Sequence, residues 1–314
     1  MQRYILRRLI VAAFILVVLS VAVFLLLRVA PGDAALFKCP LPCPEAQLEA
    51  IRERLGLNDS YPVQYTTWVK GLITGSLGTS NEGLPILPEI KRRLPTTVEL
   101  LILTMVATLL LGVPFGVISA LYRNSPADHA VRVTAIFGLS IPSFWVATMV
   151  LLIPLSLWTY APPLGQTISF FDSPWDNLRQ FIPPALVLAA ASAAGIMRLT
   201  RSSLLEVMRT DYVRTARSKG LRETVVVSRH ALKNSMIPVI TVLGLQVATL
   251  LGGAVIIEQI FTLQGVGEYY FQALFTKDFE VAQTITLYVG VVVVLMNLLV
   301  DISYAWLDPR IRYA

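Results

Sequence analysis

The chain has 314 residues, of which 55% are hydrophobic and 15% are charged, and its mean hydropathy is +0.66. A soluble domain needs more polar surface than this, so the composition predicts an integral membrane protein. The net charge of +6 is typical of basic residues kept on the cytoplasmic side of a membrane, and it does not favour nucleic-acid binding.

Six apolar stretches are long enough to cross a bilayer as helices, which needs roughly 20 residues each. They are predicted at 9–29, 100–121, 133–157, 181–197, 236–257 and 281–303. Most of the 26 Lys and Arg residues fall on one side if both termini are cytoplasmic, which predicts that orientation. The fourth stretch has the weakest signal, because it is short and begins at Pro183-Pro184.

The chain order predicts three parts. Residues 1–30 form a first transmembrane helix, retained as an anchor because no small-residue cleavage site follows it. Residues 31–94 form an extracytoplasmic segment, and residues 95–307 form the main membrane domain with a cytoplasmic loop at 198–236.

The extracytoplasmic segment contains three local patterns. Cys39 and Cys43 in "CPLPC" are either incidental thiols or a disulfide, which an outer location permits. "EAQLEAIRERLGL" has apolar residues at helical spacing between Pro44 and Gly56, which predicts a short helix. "KRR" at 91–93 is interpreted as part of an amphipathic helix on the outer surface.

Proline and small residues mark the predicted spans. "GVPFG" (112–116) and "AAASAAG" (189–195) let helix backbones approach closely. Pro114, Pro142 and Pro154 are expected to kink the second and third spans.

Motifs for catalysis and for nucleotide or metal binding are missing from the sequence. It contains no G-x-x-x-x-G-K-[ST], no H-E-x-x-H and no G-x-S-x-G. Charged residues are also rare deep in the spans, whereas a proton-coupled carrier usually places acids or histidines there. We therefore predict a transporter subunit and not an enzyme, with no cofactor or metal in this chain and with energy supplied by another protein.

The 198–236 loop is strongly basic, with nine Lys and Arg residues and three acids. Asp211 is predicted to cap a two-turn helix from Tyr212 to Lys219, and Gly220 follows as the residue that ends it. A second helical run is predicted at 222–236, halted or bent at Pro238. Such a loop is a solvated hairpin, a site for phospholipid headgroups, or a rigid docking element for a cytoplasmic protein.

The segment "DYVRTARSKGLRETVVVSRHALKNSMIPV" resembles the EAA loop of ABC importer permeases of the dipeptide, oligopeptide and nickel family. Further segments resemble the same family in the same order along nearly the whole chain. They are "RVAPGD" (28–33), "LGLNDSYPVQYTTWVKGLITGSLGTS" (55–80), "RLPTTVEL" (93–100), "EQIFTLQGVG" (258–267) and "DPRIR" (308–312).

This resemblance implies an all-α integral membrane fold, the type I importer transmembrane domain, with six helices. It implies as partners a homologous second permease, two ATP-binding subunits that carry ATP and Mg²⁺, and an extracytoplasmic solute-binding protein. All would sit in or at a bacterial-type cytoplasmic (inner) membrane.

The resemblance also implies roles for particular residues. The residues expected to couple the chain to the ATPase are Asp211, Arg214, Thr215, Ala216, Arg217 and Gly220. Thr215 and Ala216 would pack against the ATPase, and Arg214 and Arg217 would pair with its acids. Glu258, Gly265 and Gly267 are expected at an outer gate or binding-protein contact, with ordinary loop structure as the alternative.

The predicted substrate is a di- or oligopeptide, with nickel chelates, glutathione or sugars as alternatives within the same permease type. An autonomous channel or secondary transporter is the competing function, followed by a membrane scaffold and a membrane enzyme. Uptake by the chain alone would favour the competing function.

Overall fold

The computed structural model describes residues 2–29, 34–39 and 42–307, with the backbone alone at 2–5, 27, 29, 34 and 300–307. The "DPRIR" motif and part of "RVAPGD" lie outside these residues. The described residues are helical apart from loops and one isolated bridge between Thr79 and Pro85. The helices are α1 (Gln2–Val29), α2 (Ala34–Phe37), α3 (Glu45–Arg54), α4 (Tyr61–Thr74), α5 (Ile86–Leu121), α6 (Pro126–Ser140), α7 (Ser143–Trp158), α8 (Pro174–Val207), α9 (Asp211–Ser218), α10 (Glu223–Val225), α11 (Leu232–Ile260), α12 (Val266–Phe275) and α13 (Phe279–Leu307), with a π-helical turn at Val226–Ala231.

Five of the six predicted spans fall on long apolar helices, and the third falls on the pair α6 and α7. Among the described residues, five helices or continuous helical runs are long and apolar enough to cross a membrane, and α6 with α7 makes a sixth if the pair is one span. The predicted all-α membrane fold is confirmed. Several helices extend well beyond the predicted apolar stretches. Their end residues are polar, so the apolar stretches did not include them.

The third predicted span is not one straight helix. The chain bends by 99° between α6 and α7. Ile141 takes an extended conformation before Pro142, as expected because proline disfavours the α conformation in the residue before it. Pro142 therefore breaks the span, whereas Pro154 is accommodated inside α7.

The chain forms two compact units, residues 1–97 with 264–314 and residues 98–263, which are described separately. In the 98–263 unit, α6, α7 and α11 all pack against α8. Its main apolar core includes Leu100, Ala147, Phe181, Leu188 and Ile257. The helix α8 is longer than the predicted span at 181–197: it has 34 residues and holds Pro183 and Pro184 in its interior.

Two glycines of the "GVPFG" segment lie directly against α8. A Cβ at Gly112 would be 2.9 Å from the carbonyl oxygen of Ala193, and a Cβ at Gly116 would be 2.8 Å from that of Met197. The two glycines are one helical turn apart and meet carbonyls one turn apart. This contact is the close helix approach that the small residues predicted.

A buried ion pair lies in the same unit, near the start of α6. Asp128 is fully buried and accepts two hydrogen bonds from Arg201 of α8, at 3.1 and 3.0 Å. It also accepts hydrogen bonds from the Ser119 hydroxyl and the backbone N–H of Asn124. Ser119 lies in α5, Asp128 in α6 and Arg201 in α8, so these hydrogen bonds join the three helices.

In the other unit, α1 and α12 pack against α13. The predicted short helix is confirmed as α3, preceded by Pro44 and followed by Gly56 at φ +63°. The interpretation of "KRR" as a surface helix is wrong, because these residues lie in the first turns of the continuous α5. Arg93 there forms an ion pair with Glu268 of α12 and is largely buried.

Candidate functional site

The short helix α9 begins one residue earlier than predicted. Thr210 is the N-cap, and Asp211 is the first helical residue and makes no capping bond. The hydroxyl of Thr210 instead donates to the carbonyl oxygen of Val207, at 2.6 Å. The cap predicted at Asp211 is therefore wrong, although its carboxylate still lies in the first turn, where the helix dipole favours a negative charge.

The end of α9 agrees with the predicted turn. Lys219 is the C-cap residue, and Gly220, which follows it, has φ +75°. A residue with a side chain is strained in this left-handed conformation by about 1–2 kcal/mol. A Cβ at Gly220 would meet nothing within 4 Å, so backbone conformation and not space selects glycine here.

One face of α9 packs against its own chain. Val213 is fully buried and Ala216 is 6% exposed, and both belong to one apolar cluster with Val226 of the π-helical turn. Residues three apart lie on one face of a helix, so these two side chains form a single apolar seam. Ala216 thus faces inward, unlike the expectation that it packs against a partner protein.

The opposite face of α9 is exposed. It carries three of the predicted site residues, Asp211, Arg214 and Thr215, together with Ser218. Arg214 and Asp211 are 3.4 Å apart, with 70% and 97% of their side chains exposed, so this pair contributes little to stability. Both charged groups remain available to an external protein.

Two side-chain contacts hold α9 to the segment that follows it. Arg217 donates two hydrogen bonds to Glu223, at 2.6 and 3.1 Å, across the Gly220 turn. The hydrogen-bonded Glu223 carboxylate raises the pKa of the Arg217 guanidinium above its usual value. Asn234 of α11 donates to the Tyr212 hydroxyl, at 2.7 Å. Arg217 is therefore engaged within the chain, whereas Arg214 is the freer cation.

The second helical run of the loop is less regular than predicted. It consists of α10, the π-helical turn and the first residues of α11. Pro238 neither halts nor ends the helix, because α11 continues through it to Ile260. The irregularity lies at 226–231 instead, and π-helical turns often occur at functional sites.

Sequence reasoning did not identify the inner contacts of this site. Val213 and Ala216 carried a usable signal, since their spacing of three predicts a common helix face. Glu223, Val226 and Asn234 carried none, because they meet α9 only after the chain has turned.

The other predicted residues belong to other elements of the chain. Glu258 is fully buried in α11, and its backbone carbonyl accepts a hydrogen bond from Leu263. Gly265 is the N-cap of α12, and Gly267 is buried in its first turn. Their role at an outer gate stays a prediction. Cys39 and Cys43 are joined by a disulfide with their Cα atoms 5.7 Å apart.

Comparisons with known proteins match this chain to membrane components of transport systems over nearly its whole length. Residues 112–313 match the profile of the binding-protein-dependent transport system inner membrane component, and residues 1–101 match the N-terminal profile of such membrane components. The oligopeptide transport system permease protein AppB of Bacillus subtilis (strain 168) is 38% identical over 317 residues, covering 100% of both chains. The dipeptide transport system permease protein DppB of Alkalihalophilus pseudofirmus is 38% identical over 339 residues, again covering 100% of both.

Two solved structures resemble the fold. One is the inward-facing MetNI methionine ABC transporter, at a TM-score of 0.55 and 16% identity, covering 70% of this chain and 96% of the other. The second is an amino acid ABC transporter with histidines, at a TM-score of 0.51 and 14% identity, covering 71% and 94%. At these identities the likeness supports the fold alone.

Proposed function

The chain belongs to the family of binding-protein-dependent transport system inner membrane components, and we propose that it is the permease subunit of an ATP-driven peptide importer. The predicted family and the type I importer fold are confirmed. The observation that carries the peptide assignment is 38% identity over the full chain to relatives named as oligopeptide and dipeptide permeases.

Substrate would cross the membrane by alternating access, in a complex that this chain forms with other subunits. The partners are a homologous second permease, two ATP-binding subunits that carry ATP and Mg²⁺, and an extracytoplasmic binding protein. ATP would be hydrolysed by the ATP-binding subunits, because the sequence of this chain lacks the Gly-rich P-loop that would hold the phosphates of a nucleotide. The complex belongs to a bacterial inner membrane, with both termini and the 198–236 loop cytoplasmic and residues 31–94 outside.

The two faces of α9 support a coupling role. The exposed face of Asp211, Arg214 and Thr215 offers charge and hydrogen-bonding groups to an ATPase subunit. The buried face of Val213 and Ala216 is seated on the chain's own π-helical turn. A push on the outer face would therefore be passed inward and would not be absorbed by a loose loop.

The contacts around α9 determine which helices a displacement of α9 would move. The Arg217–Glu223 ion pair and the Tyr212–Asn234 hydrogen bond join α9 to the segment that leads into α11. Its other end is joined to α8 through the two-residue connection after Met208. Displacement of α9 would thus reach α8 and α11, which pack against each other along the unit.

The coupling proposal is tested by Gly220→Val, with Gly75→Val as the matched control. Both glycines follow a helix, have φ of +75° and +80°, and would place a Cβ with nothing within 4 Å. Each substitution therefore adds the same backbone strain of about 1–2 kcal/mol, but only one changes α9. We expect Gly220→Val to lower peptide uptake per ATP hydrolysed by about 5- to 30-fold, the ratio that corresponds to that strain.

The measurement uses the co-purified complex in proteoliposomes with the binding protein, a labelled dipeptide and a labelled hexapeptide. ATP hydrolysis and uptake are followed together, and the chain alone is reconstituted in parallel. Uptake per ATP that is unchanged in Gly220→Val, or lowered equally in Gly75→Val, would refute the coupling role. Uptake of either peptide by the chain alone would refute the dependence on ATPase subunits.

A further inference from the structure

A cleft of about 900 Å³ lies beside the buried Asp128–Arg201 pair, in the 98–263 unit. It is formed by the α5–α6 turn, one side of α6, the C-terminal part of α8 and the connection from α8 to α9. Its lining is rich in arginine and includes Arg123, Arg132, Arg198, Arg201 and Arg209. These arginines come from the α5–α6 turn, α6, α8 and the connection after α8, so the fold and not a single run of sequence brings them together.

Most of this positive charge is not neutralised by the protein. Arg201 is paired with Asp128, and Glu206 is the one carboxylate in the cleft lining. Within the part of the chain that the structure describes, Arg123, Arg132, Arg198 and Arg209 form no ion pair with any carboxylate. The cleft therefore has an excess of three positive charges and favours an anion.

The cleft lies where long apolar stretches end. No charged residue occurs between Ile182 and Met197 of α8, and Arg198 follows immediately. On α6, Arg132 directly precedes an uncharged run that continues to Ser140. In a membrane-spanning chain, this boundary is the depth at which lipid headgroups lie.

An apolar surface continues from the cleft along α6. Val133, Ile136 and Phe137 are 51%, 59% and 61% exposed, and Ile136 also lines the cleft. Residues three and four apart share a helix face, so these side chains form one strip next to the arginines. A ligand that fits both surfaces has an anionic group at one end and an apolar body at the other.

We propose that this arginine cleft is a binding site for the phosphate headgroup of an anionic phospholipid, whose acyl chains lie along the exposed α6 strip. Guanidinium groups bind phosphate oxygens in a bidentate manner and keep their charge at any physiological pH. Basic pockets between membrane helices are a recognised setting for such headgroups. A retained lipid would brace α6 against α8 at the end of α8 that leads to α9.

The test compares Arg132→Gln/Arg198→Gln with the control Arg92→Gln/Arg179→Gln. Both double variants remove two arginines and the same net charge. The control arginines form exposed ion pairs with Glu89 and Asp176 outside the cleft, so their loss has little structural effect. Arg201 is left intact in both, because it partners the buried Asp128.

The full chain, purified with the subunits that accompany it, is examined by native mass spectrometry. Dioleoylphosphatidylglycerol and dioleoylphosphatidylcholine are supplied in equal amounts, since they share acyl chains and differ in headgroup charge. We expect the cleft variant to lower the ratio of phosphatidylglycerol to phosphatidylcholine adducts by about 30-fold and the control to lower it less than about 2-fold. A ratio that is unchanged in the cleft variant, or lowered equally in the control, overturns the proposal.

A second arm separates a lipid from a free anion. Inorganic phosphate and glycerophosphoglycerol, which is the same headgroup without acyl chains, are added in large excess over the lipid. Retention of the phosphatidylglycerol adduct supports a lipid site that uses the apolar strip. Its displacement by either soluble compound overturns the lipid assignment in favour of a site for free phosphate compounds.

Discussion

The contact between α5 and α8 depends on the absence of a side chain at Gly116. A Cβ built there would be 2.6 Å from the Cβ of Thr200 and 2.8 Å from the carbonyl oxygen of Met197. Neither neighbour is the end of a flexible side chain, so Gly116→Ala forces the two helices apart. Overpacking of this kind costs about 1–3 kcal/mol.

Gly252→Ala is the matched control, because Gly252 also lies inside an apolar helix. A Cβ there would meet nothing within 4 Å. Alanine is favoured over glycine in a helix interior by about 0.8–1 kcal/mol, and this gain applies equally to both substitutions. The difference between the two variants therefore isolates the helix contact.

Thermal unfolding of the purified chain in detergent measures that difference. We expect Gly116→Ala to melt below Gly252→Ala by roughly 2–4 °C for each kcal/mol of overpacking. Equal melting temperatures, within about 1 °C, would refute the close contact between α5 and α8.

The remaining predictions concern a buried ion pair and the disulfide. Asp128→Ala should destabilise the chain by about 3–5 kcal/mol because it leaves the Arg201 charge without its partner, and Arg201→Met should restore part of the loss; a single variant that melts like the wild type would contradict this. Loss of the Cys39–Cys43 disulfide, which closes a five-residue loop, should cost about 2 kcal/mol and speed proteolysis within 34–57; cleavage at the same rate in Cys39→Ser/Cys43→Ser would contradict it.

Local chemistry predicted several elements of the fold correctly. The end of α3 before Gly56 and the end of α9 before Gly220 both follow from glycine's tolerance of positive φ. Such signals involve neighbours in sequence and need no knowledge of the rest of the fold. The same reasoning placed the N-cap of α9 wrongly, because Thr210 and Asp211 are both good capping residues and side-chain type does not choose between them.

Contacts between distant residues were not predictable from the pattern. Glu223 reaches Arg217 only because the chain reverses at Gly220, and Asn234 reaches Tyr212 only because α11 returns past α9. Hydrophobic spacing also could not show that Ala216 packs inward. A small exposed alanine and a small buried alanine look the same in a sequence, and packing decides between them.

The weakest predicted span turned out to be the central helix of its unit. Hydropathy is highest for helices whose side chains face lipid. The helix α8 instead faces other helices, since it is the most deeply buried of the candidate spans. Helices that contact other helices along most of their surface need small residues for close approach more than they need large apolar ones. The alanines and Gly195 of α8, together with its two interior prolines, therefore lower its hydropathy for a structural reason.

The central position of α8 has a consequence for transport. This helix contacts α6, α7 and α11 along its length, holds the Asp128–Arg201 pair, and leads directly into α9. The close contacts that α8 makes with Gly112 and Gly116 of α5 leave no free space between the two helices. The helix α8 therefore cannot slide past α5 unless the two helices separate. A displacement of α9 would therefore move α8 and the helices packed on it as a group, since packed interfaces change between discrete arrangements and do not deform continuously.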